Sequence, residues 1–346
     1  ARKPGVRERM FFTEQLSLLL ETGTAIYPSL QSLKTQISNP AMVSVVDGLM
    51  EDVGEGKSLS AAMSRFPNLF NMTYVHLVGA AERGGFLDKV LLELMRLDER
   101  REEMRRTVVS ALTYPLFLVT FSLAVVVFVL MVVFPKFDDL FSSIRDQLPV
   151  TTLFLMGASQ LLTKYWMAIS LGIAVFLGGF AYWSRTAQAR ETMDLLKMRV
   201  FYFKDIFTQI YLIQSLRVLG LSMGHGVSVM DALESSREVV QNRIYQRFIV
   251  QVAEKVKEGE GFAIAFQQSS FIPPTVQQMV TTGEETGNLP RVLSRVADYY
   301  ERELGKRLHT FTQLVEPIML LLMGCVVGVI VTSLILPIFK LTRAVG

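Results

Sequence analysis

Residues 81–87 read AERGGFL, and residues 283–289 read GEETGNL. Glu82, Gly85 and Leu87 stand 202 positions before Glu284, Gly287 and Leu289. The same offset carries Val90 onto Val292, Leu91 onto Leu293, Glu99 onto Glu301, Arg100 onto Arg302 and Arg105 onto Arg307. It also carries Pro115 onto Pro317 and Pro135 onto Pro337. Upstream the offset is 203, pairing Leu16 with Leu219, Gly23 with Gly226, Leu30 with Leu233, Asn39 with Asn242 and Gly56 with Gly259. One residue gained or lost between positions 62 and 81 accounts for the change. The chain reads as a tandem duplication. The period is too long for a solenoid, whose repeats run roughly 20–50 residues, and each half is domain-sized.

The quoted turn has a local explanation. A helix ending near Glu82 leaves Gly85 to take the left-handed conformation that glycine adopts cheaply, and Gly287 repeats it. Asn288 can cap the following helix, and Pro290 suits its first turn. Leu87, Val90, Leu91, Leu94 and Leu97 then recur on one helical face, as do Leu289, Val292, Leu293, Val296 and Tyr299. Lys89, Glu93, Arg96 and Glu99 fill the opposite face. Punctuation by Gly23, Pro28, Pro40, Gly56, Pro67 and Gly85 predicts about six short helices per unit and no hairpins. The corner itself does not require Glu82 or Glu284. A structural ion pair is the first expectation for both, with a cap, a metal ligand or a partner contact left open.

Half of the residues are hydrophobic, at 50%. Residues 107–135, 165–184 and 317–339 carry no charge. Each run reaches the roughly 20 apolar residues that a helix needs to cross a bilayer. The stretch LAVVVFVLMVVF at 123–134 is β-branched but too long for an ordinary strand. The expected fold class is all-α: a polytopic membrane protein with two duplicated cytoplasmic helical bundles and three transmembrane helices. The bundles occupy 1–106 and 185–314. The spans occupy 107–135, 165–184 and 315–339, with a short periplasmic segment at 136–164 and a tail at 340–346. The middle span has no counterpart in the duplication, and returns the chain to the cytoplasm.

The orientation follows from basic residues. Arg96, Arg100, Arg101, Arg105 and Arg106 precede the first span, and Arg185, Arg190, Lys197 and Arg199 follow the second. Arg302, Lys306 and Arg307 precede the third. In the 136–164 segment Lys136, Arg145 and Lys164 are offset by Asp138, Asp139 and Asp146. The positive-inside tendency places the N-terminus in the cytoplasm and the C-terminus in the periplasm. A net charge of only +3 points to no nucleic-acid partner. The chain begins at Ala1, which reads as a processed or trimmed start with no signal peptide before it. Cys325, alone in the third span, can form neither an internal disulfide nor a multi-cysteine metal site.

Other chemistry is weak. GEGKS at 54–58 resembles the end of a phosphate loop, but the required earlier glycine is Glu51 and the second copy reads GEGFA. Lys57 reads as a solvated turn residue. His76, His225 and His309 are scattered in sequence, without acidic or cysteine neighbours at ligand spacing. Glu316 reads as a solvated residue at the membrane edge. Gly324 and Gly328, with Ser170, Ala174 and Gly178, offer small residues at four-residue spacing for helix packing in lipid. Pro115 and Pro317 should kink or begin their membrane helices.

In their order, these features resemble the inner-membrane platform proteins of bacterial type IV pilus and type II secretion machines, the GspF/PilC family. The resemblance is carried by FTEQLSLLLETG at 12–23, the G-x-S-L-x-x-A stretch at 56–62, the two quoted turns, TYP at 113–115, EP at 316–317 and LPIF at 336–339. It implies a non-enzymatic scaffold in the inner membrane without a cofactor. Its implied partners are a hexameric cytoplasmic assembly ATPase, pilin or pseudopilin, other inner-membrane assembly proteins and further copies of itself. Members usually carry a further N-terminal segment, which this chain would lack. A small-molecule transporter or channel subunit is the competing class, and three spans without intramembrane charge make a poor pathway.

Overall fold

The computed structural model describes residues 3–142, 148–184, 186 and 201–345, and among these there is no strand. The chain divides into two compact units, residues 1–106 with 191–305 and residues 107–190 with 306–346. Arg145, Asp146, Arg185, Arg190, Lys197 and Arg199, which the orientation argument used, lie outside the described residues.

The first unit holds both copies of the short-helix bundle. One half is built from α1 (Val6–Glu21), α2 (Ile26–Gln36), α3 (Pro40–Gly54), α4 (Leu59–Ser64), α5 (Met72–Gly84) and the start of α6 (Leu87–Phe128). The chain continues through α7 (Phe134–Ser142) and α8 (Val150–Trp183). The other half is built from α9 (Phe201–Gly224), α10 (Val229–Val239), α11 (Arg243–Lys257), α12 (Gly261–Gln267), α13 (Pro274–Glu285) and the start of α14 (Leu289–Val345). Shifted by 203, α2 and α3 land on α10 and α11; shifted by 202, the starts of α5 and α6 land on those of α13 and α14. The connection between α4 and α5 is one residue longer than that between α12 and α13, where the offset changes.

Local chemistry starts these helices in pairs. The Asn39 carboxamide accepts from the Ala41 N–H at 3.0 Å, and Pro40 occupies the first turn of α3. Asn242 accepts from Ile244 and Tyr245 at 3.0 and 3.1 Å to start α11. The apolar faces then close over separate cores. Phe12, Leu16, Leu30, Leu33, Met42, Leu49, Leu91 and Leu94 are buried in the first half. Leu212, Leu216, Leu219, Leu233, Phe248, Val276, Leu293 and Val296 are buried in the second. Each such side chain contributes roughly 1.5–3 kcal/mol of burial. Tyr299 departs from the expected stripe: it is half exposed, and its neighbour Tyr300 is buried instead.

The first core also encloses a charged pair. Arg9 donates to both carboxylate oxygens of Asp98 at 2.7 Å and to the Leu69 carbonyl at 2.6 Å. The Tyr74 hydroxyl donates to the same carboxylate at 2.6 Å, and the guanidinium lies over the Tyr74 ring. Burial works against the Arg9 charge, but Asp98 and Tyr74 prevail and hold its pKa above the ordinary value. Burial pushes the Tyr74 hydroxyl up, so it stays a donor. At the equivalent positions the second half has Leu212, Tyr300, Val276 for Tyr74, and Leu216 for Thr13. All four are buried, so apolar packing fills the place of the ion pair.

In the second unit, α6 passes through Pro115 and α14 through Pro317 and Pro337 without a break. The prolines therefore do not begin the membrane helices; each removes one backbone bond inside a continuous helix. Segment 136–164 is not a loop over its described residues: α7 covers its start and α8 begins at Val150, with one non-helical residue at Tyr165. A π turn at Val129–Val133 ends two residues before Pro135, whose missing N–H and ring disrupt α-helical bonding there. The Ser159 hydroxyl donates to the Leu130 carbonyl in that turn, and Thr152 donates to the Ser333 carbonyl at 3.0 Å. Leu130, Phe134, Phe141, Leu148, Met156 and Ile330 form the small core of this unit.

Four described helices are long and apolar enough to cross a membrane, one more than the sequence reading marked. The additional one, Lys204–Gly224, is 61% buried over its most apolar stretch, against 6%, 0% and 11% for Leu87–Phe137, Val150–Phe180 and Leu289–Pro337. Lys204–Gly224 thus spends its apolar surface on the protein core, and the other three leave theirs exposed.

Removing one member of the buried pair should cost far more than removing both. We expect Asp98→Ala to destabilise the first half by about 3–5 kcal/mol, and Arg9→Leu with Asp98→Leu to recover most of that loss. Thermal unfolding of the detergent-solubilised chain checks this; equal losses in the single and double variants would contradict it.

Candidate functional site

The two quoted corners do the same work in both halves. Gly85 follows α5 with φ +74°, and its N–H donates to the Ala81 carbonyl at 2.8 Å. Gly287 follows α13 with φ +67°, and its N–H donates to the Glu284 carbonyl at 3.1 Å. A β-carbon would be strained at either backbone. Leu87 and Leu289 then open α6 and α14, with Pro290 in the first turn of α14. Leu289 is buried and Leu87 half-buried.

The ion pair expected of Glu82 and Glu284 is corrected: among the described residues neither carboxylate is paired with a basic side chain. Glu82 accepts from the Leu59 N–H, from the Ser60 N–H at 3.1 Å and from the Ser60 hydroxyl at 2.7 Å. Glu284 accepts from Phe262 and Ala263 N–H groups at 2.7 and 2.8 Å. Each carboxylate thereby closes the start of a short helix, where free N–H groups and the helix dipole favour negative charge. The halves differ in what else is there. Ser58 also caps α4, accepting from the Ala61 N–H at 3.2 Å. Its counterpart is Gly261, so α12 has no local side-chain cap.

Lys57 is exposed, as a solvated turn residue would be, but it is also paired. Its ammonium donates to Asp52 at 2.6 Å and lies 2.9 Å from Glu55. Arg65 pairs with the other oxygen of Asp52, which is fully buried. Hydrogen bonds from Arg65 and then Lys57 hold the Asp52 carboxyl below its ordinary range. Gly56 with φ +86° follows helix α3, not a strand, so the strand–loop–helix setting of a phosphate loop is missing.

Contacts between the soluble halves fall on α5, α6, α9, α10 and α14. Glu238 accepts from the Met72 N–H at 2.6 Å and so caps α5 from the other half. Asp298 takes Arg100 and Arg217, each at 2.8 Å, and Arg217 reaches Glu301 at 2.7 Å. Burial works against the Asp298 charge, but the two arginines hold its pKa below the ordinary value. Burial lowers the Arg101 pKa, with nearby Arg9 adding to it. Leu97, Ile213, Val218 and Val239 line the cleft beside these charges. His76 Nδ1 lies 3.2 Å from the Asp231 backbone carbonyl and 3.0 Å from Ser235 Oγ, and the carboxylates of Asp231 and Glu234 lie near the ring, acidic neighbours that sequence spacing did not show. His225 and His309 make only local hydrogen bonds, to the Leu221 carbonyl and Gln313.

Gly324, Gly328 and Gly178 have nothing within 4 Å of a β-carbon position, and Ala174 is exposed. Among the described residues the helix packing expected of them is not made. Pro115 and Pro317 stand among exposed apolar residues, including Leu116, Phe117 and Ile318. Asp98, Glu238 and Asp231 were missed in the sequence. Asp98 had left a signal, as a charge one turn beyond Leu94 on the buried face.

The absence of Ser58's equivalent makes Glu284 the more consequential corner. Glu284→Ala should destabilise its half by about 1–3 kcal/mol, and Glu82→Ala by less. Hydrogen exchange at the amides of Phe262, Ala263, Leu59 and Ser60 reads this directly, and greater exposure of α4 than of α12 would contradict it.

The family described as type II secretion system (T2SS), protein F matches residues 12–135 and again 215–337. The type IV pilus assembly protein PilC of Thermus thermophilus is 31% identical over 341 residues, covering 98% of this chain and 84% of the relative. The type II secretion system protein F of Pseudomonas aeruginosa is 31% identical over 347 residues, covering 100% and 85%. PilC of the same organism is 28% identical, covering 97% and 90%. Two matches, each taking in one Glu-Gly corner and running on through the proline of the helix that follows, lead to one assignment: the chain belongs to the type II secretion system protein F family, the GspF/PilC platform proteins.

Proposed function

We propose that the chain is the inner-membrane platform of a type IV pilus or type II secretion machine, coupling a cytoplasmic assembly ATPase to polymerisation of pilin or pseudopilin. The observation that carries the reading is the repeated unit: a helical half ends in a capped corner, and its last helix continues into an exposed apolar segment. Such a unit offers a partner surface outside the bilayer and a lateral surface within it. The family membership and relatives named for both machines support the same role. Pro115 and Pro317 each take one hydrogen bond out of a continuous helix, which makes those points the compliant ones when load passes along it.

The proposed topology has three spans. Lys204–Gly224 is excluded because its apolar face is already spent on the core. Arg100, Arg101, Arg105 and Arg106 before the first span, and Arg302, Lys306 and Arg307 before the third, favour a cytoplasmic location for both halves. The cytoplasmic halves meet the ATPase, pilin subunits meet the membrane helices, and copies of the chain associate.

Two experiments test this. In a Cys325→Ser background, Thr151→Cys should react with an impermeant thiol reagent in intact cells and Gln241→Cys only after lysis; the reverse pattern would invert the topology. Pro317→Ala should leave expression and ATPase co-purification unchanged but reduce filament assembly, since the restored backbone bond stiffens the helix. Failure of the unaltered chain to retain the ATPase would overturn the coupling role.

A further inference from the structure

We propose that His76, Asp231 and Glu234 form a divalent transition-metal site that clasps the two soluble halves together. A ring nitrogen of His76 and one carboxylate oxygen from each acid lie within 4.8 Å of one another, so that a small side-chain rotation would let one ion touch all three. His76 comes from α5 and the acids from α10, one helical turn apart. Two carboxylates at that spacing repel each other, and a cation between them and the imidazole reverses the sign of the interaction.

The hydrogen bonds around the group prepare it for a ligand. In the tautomer whose Nδ1–H donates to the Asp231 carbonyl at 3.2 Å, with Ser235 Oγ at 3.0 Å beside it, Nε2 keeps a lone pair for a ligand. Metal-binding histidines are held in this way, by a carbonyl on the other ring nitrogen. Ser228 occupies Asp231 Oδ2 at 2.7 Å, which leaves Oδ1 for the ion. Glu234 is exposed, and its carboxylate makes no hydrogen bond or ion pair among the described residues. One imidazole with two carboxylates suits zinc, cobalt or manganese better than magnesium or calcium, which prefer oxygen throughout. Three protein ligands leave a position for water.

The set belongs to the junction and not to the repeated fold. At the equivalent positions the other half has Gln278 for His76, Pro28 for Asp231 and Gln31 for Glu234. No repeat needs these residues to fold, and they meet only where the halves touch. The site does not depend on the assembly role.

The full chain in detergent, carrying Cys325→Ser and stripped with a chelator, is titrated with Zn²⁺ by calorimetry and with Co²⁺ by visible absorption. We expect one ion per chain and a melting temperature that rises with Zn²⁺. Glu234→Gln and His76→Gln should each weaken binding by about tenfold or more, at least the loss that follows removal of a residue supporting a metal ligand. Glu234→Gln is the cleaner variant because it removes no existing bond, and His225→Gln and His309→Gln should bind like the parent. No ion bound by the parent, or binding as tight as the parent's in the His76→Gln, Glu234→Gln double variant, would overturn the site.

Discussion

A carboxylate from the end of one helix closes the beginning of an earlier one, once in each half. Glu82 holds α4 and Glu284 holds α12. Helices of six and seven residues cannot persist on their own, because nucleation costs more than so few bonds return. The cap and the burial of Leu59, Met63, Phe262 and Phe266 together make them stable. Since the same glutamate stands just before the left-handed glycine, the cap also fixes where the corner turns. The long helix that follows takes its starting point from that corner. The two long helices thus depend on an interaction made just before their own first turns.

Equivalent positions have diverged in how they fill the core. The first half buries Arg9 and Asp98 with Tyr74 bridging them, and the second buries Leu212, Tyr300 and Val276. Burying the pair costs desolvation that good geometry only balances, so the apolar half loses nothing by the exchange. What the pair adds is direction: a bidentate guanidinium with a third bond to the Leu69 carbonyl accepts one arrangement of α1 and α6, whereas Leu against Tyr tolerates several. The second half places its buried polar bond elsewhere, between Tyr245 and Ser215 at 2.9 Å.

The repeat, the helical class and the corner glycines were legible because each is a local pattern: periodic leucines, a Gly at fixed offset, an uncharged run. The glutamates were not, since their partners lie about twenty residues upstream and backbone N–H groups carry no mark in sequence. Asp98 and Asp52 were half legible. Each occupies an apolar stripe, Leu91–Leu94–Asp98 and Val45–Leu49–Asp52, and a charge there demands a partner without naming it. The burial of α9 could not be read from composition, because an apolar helix in a core and one in a bilayer share it. The acids near His76 come from the other half of the chain, out of reach of any spacing rule.

The unlike cores give the two halves unlike responses to temperature. Apolar burial weakens on cooling, whereas the hydration that a buried ion pair forfeits becomes less valuable on heating. The half centred on Arg9 and Asp98 therefore gains relative to its sibling as temperature rises, and the half centred on Leu212 and Tyr300 loses on chilling. One molecule built from two equivalent bundles thus answers heating and chilling unequally along its length.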